Sequence, residues 1–386
     1  MKNNLLDKVG KHFSATFNAT PQLVFSPGRI NLIGEHVDYN DGFVFPAAID
    51  KGIAVAIKES GTPESGICTA IALDLWEIFE FELVNLAPLK DGGWRNFVIG
   101  VVAEVIKAGG ELQPFNIVFS GNVPSGSGLS SSAALENGIV YSLNALFDLG
   151  LTRGQMIMIS QKAEHLYVGV QCGIMDQYAS MFGEEDHFLL LDCRSLESKK
   201  FHIDLSGYTL VLLNTNVKHN LSDSTYNKRR ALCEKVAGLL GKSSLREVTE
   251  NELKGLRDKE LSEDEYQKVL YVVQEIARTV KAGAVIEQGD VEALGNLLFE
   301  THSGLSKQYE VSCEELDSLV ALAVNTPYVI GARMMGGGFG GCTINIVQEA
   351  HAEDFIAAAR RSYVQQFGFE CTPIHIKLSK GTHLIK

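Results

Sequence analysis

FSPGRINLIGEHVDYNDG, residues 25–42, sets Arg29, Glu35, His36, Asp38, Tyr39, Asn40 and Asp41 beside the apolar residues Ile30, Leu32 and Ile33. A solvated loop has no need of those apolar residues, and an ordinary strand does not carry this density of charge. The stretch therefore reads as a site built at the end of a buried segment. Arg29, between Gly28 and the apolar run, is expected to be a fixed, partly buried guanidinium. It serves either as one half of a structural ion pair or as the group that orients a functional carboxylate.

Two glycine-rich stretches lie further along. NVPSGSGLSSSAAL, residues 122–135, follows the strand-like FNIVFSG and leads into a helix. Gly126 and Gly128 permit a tight turn and close approach to a ligand, and Ser130, Ser131 and Ser132 offer helix caps and hydroxyls. Amides converging at a helix start, with the helix dipole behind them, suit a phosphate. No lysine precedes the serines, so the loop is not a Walker A motif, and its spacing is not that of a dinucleotide fingerprint. Taken alone, a serine-capped glycine turn is an equally good account. The second stretch, MMGGGFGGCTINIV at 334–347, places five glycines in the six positions 336–341, an entropic cost that a close backbone approach would explain.

QKAEHLYVGVQCGIMDQY, residues 161–178, carries Glu164 at the end of one helical pattern and Asp176 at the start of the next. Two carboxylates joined by such a turn can face one pocket, one holding a divalent metal and the other taking a proton from a substrate hydroxyl. Magnesium suits them, with the Ser132 hydroxyl as a second ligand. The competing account makes Glu164 a surface residue and Asp176 a helix cap. Arg29 is able to pair with Asp176. The ten histidines show no HExxH spacing, which argues against zinc.

The 386 residues allow two lobes with separate cores, and 45% hydrophobic against 21% charged residues is globular composition. A formal net charge of −13 argues against a nucleic-acid partner. Seven cysteines without a CxxC pair read as reduced core thiols. No leader or membrane span is evident, so a cytoplasmic protein is expected. A monomer is expected too, with an oligomer left open. Strand patterns dominate up to about residue 120 apart from a helix in WRNFVIGVVAEVIKAGG. Helices follow at 131–148, 152–168 and 173–182, then at 222–240, 264–302, 313–325 and 350–366. Strands come in clusters, giving an α+β fold with a lobe boundary near residue 205, hence lobes of 1–205 and 206–386.

PGRINLIGEHVDY, GSGLSSSA and GGGFGGC, in this order and at these separations, closely resemble the three motifs of the GHMP kinases, the family that includes galactokinase, homoserine kinase, mevalonate kinase and phosphomevalonate kinase. GRINLIGEHVDYNDG looks like the sugar-binding signature of its galactose-specific branch, and the similarity extends through CGIMDQ, LLLDCRSLE and STYNKRRALCE.

The resemblance implies an amino-terminal ATP- and sugar-binding lobe with a left-handed βαβ crossover, a ferredoxin-like carboxyl-terminal lobe, and an active site between them. It implies ATP-dependent phosphorylation of the anomeric hydroxyl of galactose, with galactose and ATP as partners and Mg2+ as cofactor. Asp176 becomes the catalytic base and Arg29 the group that orients it and stabilises charge. Glu35, His36, Asp38 and Tyr226 become sugar contacts, although Tyr226 also shares a helical face with Cys233, Val236, Ala237 and Leu240. The loop Gly126, Ser127, Gly128, Leu129, Ser130, Ser131 and Ser132 becomes the phosphate cradle, with Ser132 and Glu164 on the metal.

One position departs from the pattern, since Met335 stands where a threonine is usual, and it is expected to alter packing more than chemistry. Two other readings fit the same motifs: a kinase for N-acetylgalactosamine or another sugar, and a sensor that binds galactose and ATP without turnover. The intact SSSAA at 130–134 favours the enzyme over the sensor.

Overall fold

A computed structural model of the chain describes residues 2–61, 64, 66–124, 126–218, 222–257 and 259–385. The first part contains α1 (Lys2–Phe17), β1 (Gln22–Asn31), β2 (Phe43–Val44), β3 (Pro46–Glu59), β4 (Ile67–Ala72), β5 (Glu77–Glu82), α2 (Trp94–Lys107), β6 (Phe115–Gly121), α3 (Ser131–Phe147), α4 (Arg153–Ala163), α5 (Met175–Phe182), β7 (Phe188–Asp192) and β8 (Ser198–Phe201). The second contains β9 (Tyr208–Lys218), α6 (Ser222–Leu239), α7 (Glu250–Leu256), α8 (Glu263–Glu287), α9 (Val291–Lys307), α10 (Glu314–Val324), β10 (Val329–Met334), β11 (Gly340–Gln348), α11 (Ala352–Phe367), β12 (Thr372–Ile374) and β13 (His383–Leu384). The fold is α+β in two lobes, as expected.

The first lobe is built on a six-stranded sheet of order β13-β1-β3-β6-β4-β5. Its pairs are antiparallel except β4 with β6, whose connection passes through β5 and α2. Val98, Val101, Val102 and Val105 of α2 and Ile139, Val140 and Leu143 of α3 recur at helical spacing and are buried with Val55, Ile57 and Ile117 of the sheet. Each such side chain contributes roughly 1.5–3 kcal/mol on burial. The other face is covered by α1, whose Leu5, Leu6, Val9 and Phe13 pack on Phe25, Ala54, Ala56 and Val118. This helix lies in the stretch read above as β-rich.

The second lobe has one antiparallel sheet of order β10-β11-β9-β12. Numbered along the chain that order is 2-3-1-4, the arrangement of a ferredoxin-like βαββαβ unit, with α6 to α10 filling the first connection. The span 264–302, expected as one helix, is two. Gly289 adopts φ 70° and the Asp290 carboxylate accepts from the Ala293 amide at 2.9 Å, so the chain stops and recaps there.

The tail of the chain returns to the first lobe. β13 pairs with β1 at Val24 and Phe25, and the Thr382 hydroxyl donates to the Ser180 carbonyl at 2.9 Å. Ser180 lies on α5, so the tail buttresses the helix that begins beside Asp176.

Candidate active site

At the end of β1 the chain turns through residues 32–42 and comes back as β2 and β3. The Leu32 amide donates to the Phe45 carbonyl at 2.9 Å and the Phe45 amide to the Ile33 carbonyl at 3.1 Å. Ile30, Leu32 and Ile33 are fully buried, so the apolar half of the opening stretch anchors the turn and its polar half is left to line a cavity. Arg29 is buried and forks onto Asp176, with Nε 2.7 Å from Oδ1 and Nη2 2.9 Å from Oδ2. Its Nη1 donates to the Gly128 carbonyl. Structural ion pair and carboxylate-orienting group are thus one arrangement here.

The glycine-serine loop follows β6 and opens α3. Gly128 has φ 73°, and a Cβ there would lie 3.0 Å from the Met335 carbonyl, so the second glycine cluster packs directly against the first. Ser130 departs from expectation. It occupies the N-cap position in a left-handed conformation, makes no side-chain cap hydrogen bond, and donates its hydroxyl to Asp176 Oδ2 instead. The carboxylate therefore takes the hydroxyl that would have capped the helix. The loop borders a cavity of about 250 Å³ formed with Val123, Pro124 and all of Gly126–Ser132.

A second cavity, of about 300 Å³, is lined by Glu35, His36, Asp38, Glu164, Gly173 and Tyr226. Arg29, Gly128, Ser132, Asp176 and Gly337 border both cavities. All the sequence-predicted site residues are brought to one of the two, and Asp176 stands between them.

Glu164 is not a surface residue. It begins a π-helical turn over Glu164–Val168, is buried, and accepts from Gln177 Nε2 at 2.9 Å and from the Ser132 hydroxyl. Burial first, and then Asp176, push its carboxyl up to about 7. Behind it Glu136 is fully buried, with Oε1 unpartnered, and burial and Glu164 push it well above the carboxylate range. Glu164, Asp176 and the buried Glu136, which carries an unpartnered oxygen, are a donor set that a divalent cation fits. Ser132 and Glu164 could hold one. Among the described residues no three His, Cys, Asp or Glu side chains form a metal cage, so phosphate and water would complete the ligand set.

On the opposite wall, burial works to raise the Glu35 carboxyl, but Arg333 and Arg29 outweigh it and hold the group below its ordinary value. Asp38 is different. Burial, then Asp176 and Glu35, push it up to about 7. Burial takes His36 down to about 4, and its Nδ1 lies 2.9 Å from the Tyr39 hydroxyl while Nε2 lies 3.2 Å from the Gly337 carbonyl. The rings of Tyr39, Tyr226 and Tyr309 surround His36 at centroid distances of 5.1–6.0 Å. Tyr226 thus faces the cavity while Cys233, Val236 and Ala237 of the same helix enter the core. Met335 is fully buried, and its sulfur accepts from the Asn31 amide at 3.3 Å. Its packing in the core is thus accompanied by a weak hydrogen bond.

Sequence reasoning missed Arg333, Tyr271, Glu275 and Tyr309, which reach the turn from the second lobe, and Gln177, which holds Glu164. It placed Gly173, with Gly169, only in the break between two helical patterns. A Cβ at Gly173 would lie 2.0 Å from Asp38 Oδ2, so that glycine lets the two segments touch.

Three family models match the chain: the galactokinase galactose-binding signature over residues 11–59, the GHMP kinases N terminal domain over 96–184 and the GHMP kinases C terminal over 282–365. The galactokinase of Clostridium acetobutylicum is 39% identical over 368 residues, covering 94% of both chains. That of Thermosipho africanus is 38% identical over 367 residues, covering 94% of this chain and 99% of the relative. The crystal structure of Lactococcus lactis galactokinase complexed with galactose superposes with a TM-score of 0.93 at 32% identity, over 98% of this chain and all of that one. Methanococcus jannaschii mevalonate kinase shares the fold at a TM-score of 0.65 and 15% identity. Matched by galactokinases at 32–39% identity over 94–98% of its length, the chain belongs to the galactokinase family of GHMP kinases.

Proposed function

We propose that the chain transfers the γ-phosphoryl group of ATP to the anomeric hydroxyl of galactose, giving galactose 1-phosphate and ADP. The observation that carries this reading is the Arg29–Asp176 fork on the wall shared by the two cavities. A hydroxyl held on one side meets a phosphoryl group held on the other.

Glu35, His36, Asp38 and Tyr226 hold the sugar so that its anomeric hydroxyl reaches Asp176. Asp176 takes the hydroxyl proton as the new oxygen–phosphorus bond forms and the bond to the ADP oxygen breaks. The Arg29 fork fixes the direction of the Asp176 carboxylate, which suits a loose transition state in which the nucleophile gives up its proton late. Arg29 keeps Asp176 in line and offers positive charge to the transferring group. The amides of Gly126–Leu129 and the start of α3 hold the phosphates, with Ser130 keeping Asp176 turned toward them. Ser132 and Glu164 would hold Mg2+, which when bound neutralises charge on the phosphate oxygens. The same proposal divides the chain near residue 205, between the close of β8 and the opening of β9, with the tail rejoining the first sheet. Among the described residues no helix is long and apolar enough to cross a membrane, and seven free thiols agree with a cytoplasmic enzyme.

The test is product analysis with a panel of hexoses. Wild type is expected to form galactose 1-phosphate with stoichiometric ADP, and Asp176→Asn to lose about 10²–10⁴ in kcat while still binding galactose. Near wild-type turnover by the variant would remove Asp176 from the mechanism. Binding of both substrates by the wild type without ADP release would replace the enzyme with a sensor.

A further inference from the structure

Arg333 ends β10 in the second lobe and is fully buried. Its guanidinium reaches across to the turn of the first lobe, 298 residues away in sequence, where Nη2 lies 3.0 Å from Glu35 Oε1. Nε donates to the Leu32 carbonyl at 2.7 Å, Nη2 also to the Asn31 carbonyl, and Nη1 to the Met334 carbonyl. Asn31 Nδ2 donates to the same Glu35 oxygen at 2.9 Å, and the Tyr271 hydroxyl of α8 to the Glu35 carbonyl at 3.1 Å. Oε1 is therefore held by two donors, from Arg333 and Asn31, in a side chain that lines the cavity.

A glutamate's terminal torsion is soft. Left alone, the carboxylate would sample orientations that suit several hydroxyl patterns. A planar guanidinium anchored to backbone carbonyls on both sides removes that freedom. We infer that Arg333 is a positioning residue for sugar recognition: it pins Glu35 by one oxygen, so that the second lobe fixes which hydroxyl arrangement the first lobe accepts. This rests on the larger cavity being the galactose site. Among the described residues no hydrogen bond joins the Arg333 guanidinium to the loop at 126–132, so the expected influence falls on the sugar side.

The test is a double-mutant cycle of Arg333→Lys and Glu35→Gln, with KM for galactose, KM for ATP, kcat and thermal midpoint measured for all four proteins. Lysine keeps the charge and loses the fork. Arg333→Lys is expected to raise KM for galactose about tenfold or more, to move KM for ATP less than about threefold, and to add little to the defect of Glu35→Gln. Multiplied effects in the double variant, or parallel rises in both KM values, would overturn the inference in favour of general loosening. If Arg333→Lys does not accumulate as folded protein, the double variant decides. Recovery of folding on neutralising Glu35 supports the pairing, and continued failure assigns Arg333 to the Asn31 and Leu32 carbonyls alone. A wild type that turns over ATP with no hexose dependence would sink the galactose reading itself, a result distinct from multiplied effects in an enzyme that does use galactose.

Discussion

The turn at 33–41 and the loop at 126–132 meet at Asp176, yet they are built by opposite means. The turn offers side chains, and each is gripped from elsewhere: Glu35 by Arg333 and Asn31, Tyr39 by Tyr309, the Gly34 amide by Glu275. The loop offers mostly backbone and short hydroxyls, shaped by left-handed glycines and packed against the second glycine cluster at Met335, Gly336 and Gly341. On the proposed assignment of sugar to the turn and phosphate to the loop, the contrast follows from the ligands. Telling one hexose from its epimer requires donors and acceptors fixed in direction, so that a wrong hydroxyl leaves a buried group unpaired. A phosphate asks only for converging amides and positive potential.

That division can be broken from either side. The largest effect is expected from Gly173→Ala. The new methyl would overlap the Asp38 carboxylate, so kcat/KM for galactose should fall about 100-fold while KM for ATP stays within about threefold. Equal losses for both substrates would show that the walls are not separable. Gly128→Ala strikes the other side, since a left-handed residue there strains the backbone and presses on the Met335 carbonyl. KM for ATP should rise about 10–30-fold, corresponding to roughly 1–2 kcal/mol of strain, with galactose binding unchanged in calorimetry without nucleotide.

The smallest effect separates the walls by pH. Burial and the neighbouring carboxylates Asp176 and Glu35 disfavour the charge of Asp38 and push its carboxyl up to about 7. Sugar hydroxyls donating to it favour the ionised form, so galactose binding releases a proton. Affinity should rise with pH up to about 7 and level off above it, about tenfold between pH 6 and 8. Asp38→Asn should flatten the profile, and a profile unchanged by that substitution would take Asp38 out of the titration.

The chemistry of the site was more legible than its support. Arg29, Glu164 and Asp176 could be picked out because glycines and helix breaks bracket them, and local pattern carries that information. Arg333, Tyr271, Glu275 and Tyr309 could not, for each lies on an ordinary-looking strand, helix or helix end and acts on a segment more than two hundred residues away. Periodicity reports which face of an element is buried, not what the buried face touches. Ser130 was misread because a serine before a helix is usually a cap, and only the position of Asp176 shows why its hydroxyl turns away. The break between α8 and α9 was missed although Gly289-Asp290 spells it out, because apolar spacing continues on both sides.

The pairing of β13 with β1, and the Thr382 hydroxyl beneath α5, carry a consequence for biosynthesis. The strand bearing Arg29 leaves the ribosome long before β13, its neighbour at the edge of the sheet. Until β13 has been made, the sheet of the first lobe has an open edge and the Asp176 helix lacks its floor. Galactose and ATP can thus find a finished pocket only after β13 is in place, and removing Thr382 and β13 should return the protein to that half-assembled condition.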